Sequence, residues 1–251
     1  MRVPNWEDHL LAGLAVLFIG LSKAGFGGGL GMLTTPLCAL AFPSRDAIGM
    51  LLPLLCAGDA FSMYYYWRKW EARNLWYLLP GVVMGVVLGV HWIGRFTARE
   101  LNVAIGGIAV GFVIFQVFRD RIFRVEGAFQ PNAGLGFLFG LAAGVTSSFA
   151  HGAGPVVSMF LVPQRLPKEI FVGTTVLVFT WINWIKVPFF VANGVITVHT
   201  MTQGLLYFPL VPLGVWLGVR LNRRFSEAAF ARIVLATLFL TGLQLIFNFR
   251  F

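Results

Sequence analysis

The strongest constraint in this sequence is a recurring apolar run of about twenty residues, the length an α-helix needs to cross the hydrocarbon core of a bilayer. Six such runs fall at 47–67, 75–94, 101–118, 170–192, 200–221 and 228–247. One aqueous core could not hide them. Hydrophobic residues make up 58% of the chain and charged residues 12%, where a soluble domain carries about 25% charged. The pattern predicts an all-α polytopic membrane protein.

Four apolar pieces are shorter, at 10–21, 30–42, 134–145 and 153–162. They form two pairs, each interrupted by a small, polar link. The first link contains "GFGGGLGML", Gly25 to Leu33, and the second contains "TSSFAHGAG". A helix of about 12 residues rises about 18 Å, short of a core about 30 Å thick. The pairs sit at matching places in two halves. "GLGMLTTP" echoes "GAGPVVSM", Gly49 falls on Gly173, Asp59 on Asn183, Pro80 on Pro209 and Gly89 on Gly218. The expected organisation is a first repeat at 1–124, a cytoplasmic linker at 125–133 and a second repeat at 134–251. Repeated halves with broken hydrophobic segments mark many secondary transporters.

Loop charges bear on how the short pairs sit. If each pair enters and leaves on one side, Lys and Arg at 68–73, 119–124, 165–168 and 220–232 share one face. Those at 2, 45, 95–99 and 250 share the other, twelve against five. If each pair instead makes one crossing of its own, the bias vanishes, and a bias is what orients a membrane protein. The favoured arrangement is two inverted repeats, each a broken or re-entrant glycine-rich hairpin plus three transmembrane helices. Both termini then lie outside the cytoplasm. Eight separate crossings are the alternative.

A re-entrant turn leaves peptide groups unpaired at membrane depth, tolerated only where protein or a watered cavity satisfies them. Glycine permits the turn and close approach to bare backbone, and a helix starting there aims its N–H groups and positive dipole end at an anion. Gly27, Gly28, Gly29 and Gly152 are therefore candidate anion contacts, with close helix packing as the competing explanation. Thr34, Ser147 and Ser148 offer hydroxyl donors, or back-bond to their own helix. His151 offers a ring donor, or is a satisfied buried imidazole.

Lys23 borders the first turn, and its ammonium is expected to face the anion more directly than that of Lys186. Lys186 is six residues from its helix end and could snorkel to the interface. Asn183 and Lys186 share a helix face. Asp59 is the mid-helix acid, a carrier of a coupling proton or cation, or a fixed counter-charge to a lysine.

The segments "GLSKAGFGGGLGMLTTPL" and "GVTSSFAHGAGPVVSMFL", with the duplicated apolar layout, resemble the TauE/SafE family of membrane permeases over nearly the whole chain. The resemblance implies transport of sulfite, sulfonates such as sulfoacetate, or related carboxylates across a bacterial inner membrane. The expected partners are the small anion and the lipid bilayer, with homodimerisation left open.

The net charge of +9 lies in loops between apolar runs, so no nucleic-acid partner is expected. Cys38 and Cys56 lie in apolar segments and imply no disulfide framework. The N-terminus lacks a basic n-region and cleavage site, and reads as retained rather than as a signal peptide. No Walker motif occurs. Asp59 lacks the second carboxylate that aspartyl chemistry requires, and no nucleophile elbow surrounds Ser148. No catalytic residue, cofactor or metal is expected, and a passive anion channel is the main rival function.

Overall fold

A computed structural model describes residues 5–23, 30–122, 131–222 and 227–248, which are helical with connecting turns. Eleven α-helices lie among them: α1 Trp6–Lys23, α2 Thr34–Ala41, α3 Ser44–Tyr65, α4 Ala72–Ile93, α5 Ala98–Ile122, α6 Ala133–Ala150, α7 Ala153–Leu161, α8 Lys168–Ala192, α9 Val198–Tyr207, α10 Leu210–Asn222 and α11 Glu227–Phe247. Five are long and apolar enough to cross a membrane, namely α3, α4, α5 over Ala98–Phe118, α6 and α8. Trp76, Trp92, Trp181, Trp184 and Trp216 stay exposed on the outside of the bundle, as a lipid-facing surface requires.

The broken pairs differ from expectation in their lengths. Each has one long arm, α1 or α6 with 18 residues, and one short arm, α2 or α7 with 8 or 9. The "TSS" of the second link extends its helix rather than ending it. Thr146 Oγ1 donates to Ala142 O and Ser148 Oγ to Gly144 O, so these two hydroxyls are satisfied inside α6. The single helix expected at 200–221 is two, because Phe208 and Pro209 form a turn between α9 and α10. A proline ring clashes with the carbonyl four residues back and has no N–H to donate.

Glycine sets the helix seams. α1 packs on α10, α4 on α6, α5 on α11 and α3 on α8. A Cβ on Gly20 of α1 would strike Val211 O, Val215 N and Gly214 C of α10; a Cβ on Gly144 of α6 would strike Val82 O, Val86 N and Gly85 C of α4. The offsets are constant: 144 − 20 = 124 on one side, and 211 − 82, 215 − 86 and 214 − 85 each give 129 on the other. Viewed from the partner, Gly214 abuts Leu17 O and Gly85 abuts Leu141 O, again 124 apart. Gly49 lies against Val195 O before α9, and Gly173 against Lys69 O before α4. Side chains here would force the backbones apart, so the glycines fix the distances at which the helices meet.

Candidate functional site

The turn between α6 and α7 makes the chemistry of the centre. His151 closes α6 in the left-handed region, φ 50°, its N–H donating to Ser147 O. Gly152 precedes α7, whose first residues are Ala153 and Gly154. The negative end of one helix dipole and the positive end of another thus meet within a few residues.

Lys186 of α8 occupies the negative end. It is fully buried, and its ammonium donates to Ser147 O at 3.2 Å, Ser147 Oγ at 2.9 Å and His151 Nδ1 at 2.8 Å. Three acceptors suit an ammonium with three N–H groups. The imidazole tautomer follows from its neighbours. Nδ1 faces a group that only donates, so it is bare; Nε2 faces Ile48 O at 3.1 Å, so it carries the hydrogen and donates. Phe190 adds its ring at 5.8 Å from the Lys186 nitrogen. One turn along α8, Asn183 Nδ2 donates to Asp59 Oδ2 of α3 at 2.7 Å, and both residues are buried.

A cavity opens against this layer. Ser22 and Gly31 line it from the first broken pair, Ser147, His151, Ala153 and Gly154 from the second, and Asn183 from α8; Ile19, Leu55, Phe179 and Ile182 form an apolar wall. The space open to the centre of a water-sized sphere is about 40 Å3, against roughly 10–15 Å3 for one water. The cavity therefore takes a solute of a few heavy atoms. N–H groups in the first turn of α7 have no acceptor inside their own helix, so this wall presents donors while Lys186 holds a positive charge directly behind it.

Ser147, His151 and Asn183 line the cavity, Gly152 lies in the turn between two of its lining residues, and Lys186 and Asp59 stand one layer back. The ring donor that His151 was expected to offer an anion is directed at Ile48 O in this conformation. Thr34 donates to the carbonyl of Gly31, a lining residue, at 2.7 Å, and Ser148 returns its hydroxyl to α6. Lys23 ends α1 next to the lining residue Ser22, but its side chain, like Gly27, Gly28 and Gly29, lies outside the described residues. The sequence reading missed the apolar wall and the Ile48 carbonyl. A signal existed, since Phe179, Ile182, Asn183 and Lys186 recur at i, i+3, i+4 and i+7 on one face of α8.

Ser147→Ala keeps the carbonyl acceptor for Lys186 and removes the hydroxyl. The expected cost is about 1.5–3 kcal/mol, the worth of a hydrogen bond to a charged group. Thermal unfolding of the purified protein checks it, and an unchanged midpoint would mean that the hydroxyl does not hold the ammonium.

A family model described as "Sulfite exporter TauE/SafE" matches residues 12–245 of the chain. No curated protein and no solved structure matches it.

Proposed function

Because the chain belongs to the TauE/SafE sulfite exporter family, we propose that it is a secondary transporter that binds a small anion, sulfite or an organosulfonate such as sulfoacetate, in the cavity between the two broken helix pairs. One observation carries this assignment. The cavity is bounded by the start of α7 and by Ser147, His151 and Asn183, with the buried Lys186 ammonium directly behind. Sulfur oxyanions accept several N–H and O–H bonds at once, and one cation set back by a layer balances their charge. The apolar wall leaves room for a carbon substituent. Lys23, Gly27, Gly28, Gly29 and Thr34 would complete the opposite side.

Access alternates as two inverted halves, 1–124 and 134–251, rock about this centre, with 125–133 as the cytoplasmic linker. The constant offsets of 124 and 129 between the Gly20 and Gly144 seams support such a relation. So does the reciprocal contact of Gly106 with Gly242 O and of Gly242 with Gly106 O. Hairpins that dip and return give each half three crossings, and an odd number inverts the second half. Asp59 acts as the fixed counter-charge of the buried cation. Both termini lie outside the cytoplasm of a bacterial inner membrane, a placement that the excess of basic residues in one set of loops supports.

Flux of radiolabelled sulfite into proteoliposomes tests the function. A carrier shows saturation and counterflow, with unlabelled sulfite on the far side accelerating entry. Ohmic anion current without counterflow would instead identify a channel.

A further inference from the structure

We propose that His151 is the proton-coupling group of this transporter: it takes up one proton at Nδ1 for each monoanion that enters the cavity. The proposal rests on the anion assignment above and adds the regulation of that site. Nε2–H donates to Ile48 O, and Nδ1 accepts from Lys186. A ring whose only bare nitrogen faces an ammonium can gain a proton only by giving up that donor. His151 also lines the cavity, so an arriving anion lies within reach of the same ring.

Charge balance supplies the coupling. Among the described side chains of the central layer Asp59 contributes −1, Lys186 +1 and the neutral imidazole nothing, so that layer sums to zero. A monoanion brings it to −1 in surroundings where net charge is costly. A proton drawn from the aqueous side that admits the anion attaches to Nδ1 and restores zero. The displaced Lys186 N–H then turns to the anion. The layer formed by these described groups is then neutral both empty and loaded, and these are the two forms a carrier must move through its closed state. Reciprocity follows: the proton tightens anion binding by the factor by which the anion tightens proton binding.

The groups facing the ring are few. α6 and α7 carry no ionisable side chain. α8 brings Lys186, and α3 brings Asp59 through Asn183 and, at its first turn, Arg45 and Asp46. α5, whose Ile108 faces Gly152, has its nearest charge eight residues away at Glu100. α4, whose Gly89 faces Ser148, brings His91, which is exposed. Lys23 ends α1 beside the lining residue Ser22.

The test measures proton uptake with a pH dye as methanesulfonate is added to the full chain in lipid nanodiscs. This monoanion keeps its charge over about pH 5–8, where imidazole titrates. The wild type should take up about one proton per anion bound, and its affinity should rise up to tenfold per unit fall in pH within that range. In His151→Asn the amide oxygen can still accept from Lys186, and Asn tolerates the left-handed backbone. That variant binds more weakly, takes up no proton and has a flat pH profile. Undiminished proton uptake in His151→Asn overturns the proposal, as does wild-type binding without uptake. Loss of the pH profile in Asp59→Asn together with an unchanged profile in His151→Asn would return coupling to the carboxylate. If the wild type binds no methanesulfonate, the sulfonate part of the anion assignment fails, and 15N NMR of the ligand-free chain decides the proton site. The Nε2–H tautomer of His151, with an Nδ1 signal that moves in Lys186→Met, supports it. The opposite tautomer, or a ring already doubly protonated at about pH 8, overturns it.

Discussion

Lys186→Met is expected to reduce sulfite transport to background and to destabilise the protein by about 3–5 kcal/mol, the cost of breaking a buried charge pair by removing one member. The side chain is fully buried and satisfies Ser147 and His151 together. Its loss unpairs both acceptors and leaves the layer around Asp59 with an uncompensated negative charge, which repels the substrate as well. Lys186→Met combined with Asp59→Asn removes both charges. That double variant should recover most of the lost stability, because a neutral buried layer costs far less than a half-neutralised one, while transport stays at background. Thermal unfolding and vesicle flux on the three proteins separate the two roles. Transport restored in the double variant would show that Lys186 only neutralises Asp59.

The second large effect concerns the seams. Gly144→Leu should abolish the close packing of α6 on α4, and Gly20→Leu should do the same to α1 on α10. Each glycine lies where even a Cβ would meet the partner's backbone, so a leucine cannot be accommodated by turning a side chain. Backbone separation costs more than the about 1–3 kcal/mol typical of overpacked cores. Both variants should fail to yield monodisperse protein. The paired Ala substitutions should lower the unfolding temperature by similar amounts, because the atoms they meet correspond at constant offsets. Markedly unequal losses would mean that the two seams are not equivalent in energy.

The apolar lengths of α3, α4, α5 and α8 and the break at Gly152 could be read directly, because hydrophobic period and glycine placement are local properties of the chain. Lys186 was harder. Six residues from a helix end, it could have snorkelled to the interface, and only the fold shows it fully buried among the turn atoms of another helix. Asp59 and Asn183 were aligned by the repeat offset, but their hydrogen bond depends on how α3 meets α8. The hydroxyls of "TSS" were ambiguous because the same groups can end a helix or be absorbed by it. Pro209 carried a breaking signal that the surrounding apolar run outweighed in the reading. The carbonyl of Ile48 was invisible, since a backbone acceptor leaves no trace in residue identity.

The central claim is that a small anion lodges at membrane depth beside the start of α7, with Lys186 behind it. A structure of the wild-type chain in lipid with sulfite bound, refined against the ligand-free protein, tests this most directly. The account predicts density for one anion bounded by Ser147, His151, Asn183 and the first amides of α7. Density confined to the basic loops, with the central cavity unchanged by saturating sulfite, would contradict it.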